Sequence, residues 1–89
     1  MDNPMYILTS SIVEAVKAKV WGYVKAYYNS FTDTLEIKIQ NRALNSESFR
    51  YSFSNFSSEV RNGTSANVIA KFILKEYSEY ISMYFWKRG

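Results

Sequence analysis

The segment from Thr34 to Gln40, "TLEIKIQ", alternates without a break between apolar Leu35, Ile37 and Ile39 and polar Glu36, Lys38 and Gln40. Only an extended strand puts every second side chain on one face. Such a strand has one apolar and one wet face. It must find neighbours for its backbone and a cover for its apolar side.

The flanking segments supply the neighbours. Asn29-Ser30-Phe31-Thr32-Asp33 is turn chemistry. The residues before it, Tyr23 to Tyr28, are rich in aromatic, β-friendly side chains. They read as the first arm of a hairpin, with Val24, Ala26 and Tyr28 inward and Tyr23, Lys25 and Tyr27 outward. Val20, Val24 and Tyr27 or Tyr28 also fit a helical stripe, so periodicity alone leaves a helix through Tyr28 open. After a polar loop from Asn41 to Ser48, "FRYSFS" alternates again, with Phe49, Tyr51 and Phe53 inward. This is the third strand.

Helices flank the strands. Asn3 caps and Pro4 opens the first. Its stripe is Met5, Leu8, Ile12, Val16 and Val20, and Gly22 is the break after it. Ser57 to Asn62 reads as one helical turn stopped by Gly63. Thr64 or Ser65 caps a long last helix with the stripe Ile69, Phe72, Ile73, Tyr77, Tyr80, Ile81 and Tyr84. Lys87 and Arg88 suit its C-terminal dipole. The expected fold is α+β in the order α-β-β-β-α, a three-stranded antiparallel sheet with two helices packed on one face. The 89 residues suit one domain.

Composition narrows the chemistry. The chain has no histidine and no cysteine, which removes the usual general base, the thiol nucleophile and the commonest metal ligands. Its eight Asp and Glu are scattered, and its three glycines form no phosphate loop. The expectation is a protein that is not an enzyme and holds no cofactor and no metal. No apolar run approaches the ~18 residues of a membrane helix. The N-terminus carries Asp2 and lacks a basic segment followed by an apolar run. A cytoplasmic protein without a membrane partner is expected.

The wet face of the sheet then holds the candidate site. Tyr23, Lys25 and Tyr27 project from the first strand, Glu36, Lys38 and Gln40 from the second, and Arg50 and Ser52 from the third. Trp21 shares their parity at the edge. Rings beside cations can stack on bases while the cations meet phosphates. Tyr, Trp and Arg are also enriched at protein interface hot spots. In the plainest reading the rings stabilise the sheet through cross-strand pairs and the cations discourage edge pairing. The net charge of +3 permits contact with nucleic acid without demanding it. Near the C-terminus, Met83, Phe85 and Trp86 do not all fit the core stripe, and they read either as packing against the first helix or, for Phe85 and Trp86, as a homodimer contact.

Two family resemblances follow. The α-β-β-β-α order resembles double-stranded RNA-binding domains, whose last helix opens on Gly-x-Ser-Lys-Lys-x-Ala-Lys. Here Gly63, Ser65, Ala70 and Lys71 are similar, with one extra residue, and Ala66 and Asn67 replace the lysine pair. The resemblance implies only Lys71 as a candidate phosphate contact. The segments "YYNSFTDTLEIKI", "FRYSFS" and "VRNGTSANVIAKFILKEYSEYISMYF" look like small proteins of phages and prophages of Gram-positive bacteria. Some small phage proteins of similar plan are anti-CRISPR proteins, which bind a CRISPR nuclease and block its DNA site. That resemblance implies a binding protein in the bacterial host cell that docks on a host protein, such as a CRISPR nuclease or other defence factor. The basic net charge departs from DNA-mimicking inhibitors, which are strongly acidic. A nucleic-acid-binding accessory protein and an oligomerising structural protein are the alternatives. The residues expected to meet the partner are Tyr23, Lys25, Tyr27, Lys38 and Arg50.

Overall fold

The computed structural model describes residues 3–42 and 48–88, with side chains to residue 84. The order is α1 (Pro4–Lys17), β1 (Gly22–Asn29), β2 (Thr34–Asn41), β3 (Phe49–Ser54), α2 (Phe56–Arg61) and α3 (Ala66–Arg88). The strands form one antiparallel sheet in the order β1-β2-β3. The fold is α+β, with α1 and α3 packed together on one face of that sheet.

Local chemistry explains each boundary. The Asn3 side chain accepts a hydrogen bond from the Met5 N–H at 2.8 Å, and Pro4 fills the first helical position. The expected end of α1 at Val20 is corrected to Lys17. The Lys19 N–H bonds the Val16 carbonyl, tightening the last turn. The Arg42 N–H then bonds the Trp21 carbonyl, which draws the chain into the sheet. Val20 still packs against the core from outside the helix. Its apolar character was read correctly and its conformation was not.

Gly22 is more than a break. It is the first residue of β1, and a Cβ there would lie 1.9 Å from the Gln40 carbonyl oxygen. No other residue lets the two backbones approach so closely. The segment whose conformation was open is therefore strand from Gly22 to Asn29. The expected loop from Asn41 to Ser48 begins one residue later, because Asn41 closes β2 and its amide donates to the Tyr77 hydroxyl at 2.6 Å. Residues 43–47 lie outside the described residues.

The pairing sets three inward rows. Val24, Ile39 and Phe49 form the first; Ala26, Ile37 and Tyr51 the second; Tyr28, Leu35 and Phe53 the third. Ile12 and Val16 of α1, Phe56 of α2, and Ile69, Ala70, Ile73 and Tyr77 of α3 complete the core. Each fully buried Leu, Ile or Phe contributes about 1.5–3 kcal/mol. Coverage is thinner over β3. Phe72, expected in the core stripe of α3, is 45% exposed. It packs at the rim instead, its ring centroid 6.0 Å from Tyr51 and 5.7 Å from Phe53.

The turn between β1 and β2 is tied to the helical layer. Asp33 stands at φ 53° and Asn55 at φ 58°, left-handed positions that Asp and Asn tolerate. The Phe56 N–H bonds the Asp33 carbonyl at 3.1 Å, anchoring α2 to the hairpin.

Candidate binding face

The helices leave the opposite face of the sheet open. Its residues fall into rows set by the register. Tyr23 lies opposite Gln40; Lys25, Lys38 and Arg50 lie in line across all three strands; Tyr27, Glu36 and Ser52 form the next row; Asn29, Thr34 and Ser54 close the face. The five residues expected to meet a partner are thus brought together on one surface. Tyr23 is 64% exposed and Tyr27 62%.

The middle row is the unusual feature. Cα atoms paired across an antiparallel sheet are about 4.5–5.5 Å apart, so the three cations span roughly 10 Å. Like charges directly opposite each other destabilise a sheet. Among the described residues, none of the three has a hydrogen-bond or ion-pair partner. Two shallow depressions adjoin the row. One is lined by Lys25, Tyr27, Glu36, Lys38 and Arg50, the other by Tyr23, Lys25, Lys38 and Gln40. Lys25 and Lys38 border both.

Glu36 is the single carboxylate in these rows, and it is turned to other work. One oxygen accepts from the Thr34 hydroxyl at 2.9 Å and the other from the Ser52 hydroxyl. Those two bonds hold it in its own row. Thr34 in turn shares a hydrogen bond with Thr32 at 2.7 Å.

A fourth cation stands at the end of the β1–β2 hairpin, just past the last paired residue. Arg42 places its guanidinium carbon 5.7 Å from the centre of the Trp21 ring, within cation–π range, and Trp21 is 62% exposed. Sequence reasoning placed Trp21 at the edge and did not single out Arg42. Arg42 has the same parity as Gln40 and Lys38, two residues past the segment read as strand, which was the available signal. Phe31, at the tip of the β1–β2 turn, is 99% exposed and was also missed. Turn chemistry accounted for its backbone and said nothing of its ring.

The remaining candidates do not join this face. Lys71 is exposed on α3, which covers the other side of the sheet. Phe85 and Trp86 belong to α3 by backbone, while their side chains, with those of Lys87 and Arg88, lie outside the described residues. Among the described residues, no three or more Asp and Glu gather as a metal site, and no helix is long and apolar enough to cross a membrane. Compared with protein-family models, with curated proteins and with solved structures, the chain matches none.

Proposed function

We propose that this chain is a small, non-catalytic binding protein of the phage type. It modulates a host factor, such as a CRISPR nuclease or another defence protein, by docking on it. The working surface is the open face of the sheet. The observation that carries this reading is the row Lys25–Lys38–Arg50, three cations held in register with no ion-pair partner among the described residues. An arrangement that weakens the sheet is explained when a partner supplies the missing negative charge. The basic face also makes occlusion of a surface a better mode of action than imitation of DNA.

Affinity capture from host lysate tests the site. A Tyr23→Ala/Tyr27→Ala/Arg50→Ala variant is expected to stay folded, because all three side chains project from the open face. It is expected to release whatever the unaltered protein captures. Equal capture by the folded variant overturns the assignment of the face.

A further inference from the structure

The order of residues along β1 is informative about what the open face meets. Tyr23, Lys25 and Tyr27 alternate ring, cation, ring on one side of one strand. Neither Tyr23 nor Tyr27 has a ring partner, a hydrogen bond or an ion pair among the described residues, so both faces of chemistry they offer are unused. Trp21 precedes the strand at the same sequence parity, exposed and met on its ring by Arg42. We propose that the open face binds single-stranded nucleic acid, with bases stacked on Trp21, Tyr23 and Tyr27 and phosphates drawn to Lys25, Lys38 and Arg50. This rests on the reading of the open face as the working surface, and on that face a single strand and a docked host protein would compete.

Three observations favour this ligand. First, ring, cation, ring repeats the base, phosphate, base order of a strand. Stacking on aromatic side chains beside a cationic track is the general way a single strand is held without regard to sequence. Second, Tyr23 and Tyr27 are four residues apart on one strand, which sets their side chains about 13 Å apart. That is about four times the 3.4 Å rise per nucleotide of a duplex strand. Bases meeting successive rings must be splayed from each other, which a duplex forbids and a single strand permits. Third, two of the three cations in the row are lysines, which are depleted at protein interfaces and serve well as point charges for phosphate.

Fluorescence anisotropy with labelled oligo(dT) and oligo(U) of about 12 nucleotides, within the usual site size, tests the proposal. The comparison ligands are a duplex of equal length and polyglutamate. Both single strands are expected to bind more tightly than duplex or polyglutamate. The logarithm of the affinity is expected to fall with the logarithm of salt concentration at a slope of about −2, as three phosphate contacts on a single strand predict. Tyr23→Ala/Tyr27→Ala is expected to lose about tenfold or more in affinity and keep the salt slope. Lys25→Gln/Lys38→Gln/Arg50→Gln is expected to flatten the slope. Urea melts of both variants establish that each is folded.

Absence of oligonucleotide binding at low salt overturns the proposal. So does duplex binding as tight as single-strand binding, or a Tyr23→Ala/Tyr27→Ala variant that binds unchanged. Polyglutamate bound through the cation row with oligonucleotide ignored would leave the open face as working surface and assign it to an acidic protein. Neither ligand depending on the face would remove both readings together.

Discussion

The Tyr28 hydroxyl donates to Asp33 Oδ1 at 2.6 Å, closing the β1–β2 hairpin across its own turn. The same oxygen accepts the Ser57 N–H at 3.0 Å, and Oδ2 accepts the Ser57 hydroxyl at 2.6 Å. One carboxylate thus joins the hairpin to α2. The Ser57 hydroxyl, followed by the Tyr28 hydroxyl, holds the Asp33 carboxyl below its ordinary range. The Tyr28 phenol is pushed up, chiefly by its hydrogen bond to Asp33.

These shifts set the pH response. A carboxyl depressed in the folded state adds stability above its unfolded value, about 4, and loses it as pH falls through the folded value. A phenol raised in the folded state adds stability below about 10 and loses it as pH rises through the folded value. Urea midpoints are therefore expected to fall at both extremes. Asp33→Asn is expected to shrink the acid decline and Tyr28→Phe the alkaline one. An acid decline of equal size in Asp33→Asn and the unaltered protein would count against the latch.

Relief of the cation row is expected to strengthen the fold. Lys38 stands between Lys25 and Arg50 and faces both. Lys38→Gln is expected to raise unfolding free energy by about 0.2–1 kcal/mol, the range for cross-strand pairs. The gain is expected to shrink as salt shortens the range of repulsion. A loss of stability at low salt would show that the row does not repel itself.

The close approach at Gly22 makes a sharper demand. Gly22→Ala forces the Gln40 carbonyl away and holds alanine at φ 154°. Overpacking costs about 1–3 kcal/mol, and the backbone conformation adds about 1–3 kcal/mol. Hydrogen exchange is expected to quicken at the Gly22 end of β1, while the amides of the buried Ile73 turn in α3 change less. Unchanged protection at Tyr23 and Val24 would refute the steric account.

Thr9 offers a gain in the core. Its hydroxyl oxygen is buried without a hydrogen-bond partner among the described residues. A buried polar atom left unmatched costs about 1–3 kcal/mol. Thr9→Val keeps the shape and removes that atom, so thermal unfolding is expected to move upward by about 1 kcal/mol or more. A destabilised Thr9→Val would mean that the hydroxyl has a partner, such as a water molecule.

The parity of β2 was legible because one face of it had to be buried, and Leu35, Ile37 and Ile39 are within 2% of full burial. The same logic placed Phe49 inward and Arg50 outward. The cation row was not legible, because it is a property of register and not of any one segment. Lys25 meets Lys38 only because Ser30 to Asp33 form a turn of one particular length, with Asn29 paired to Thr34. Shifting that pairing by two residues would keep every side chain on its face and set Lys25 against Glu36 or Gln40. Hydrophobic pattern does not distinguish those alternatives. Phe72 was misplaced for a related reason. A helical stripe shows which side of α3 is apolar, while the width of the sheet beneath it decides which of those residues are covered.

The pleat of β1 and β2 separates two kinds of inheritance. Residues 23, 25 and 27 of β1 and 38 and 40 of β2 face away from the core, so a change at one of them leaves the core packing in place, with coupling confined to cross-strand neighbours. Residues 23, 25, 27, 38 and 40 therefore form a surface that can be rewritten one position at a time over an unaltered interior. A chain built this way can change the chemistry of its open face by substitutions alone while keeping its fold.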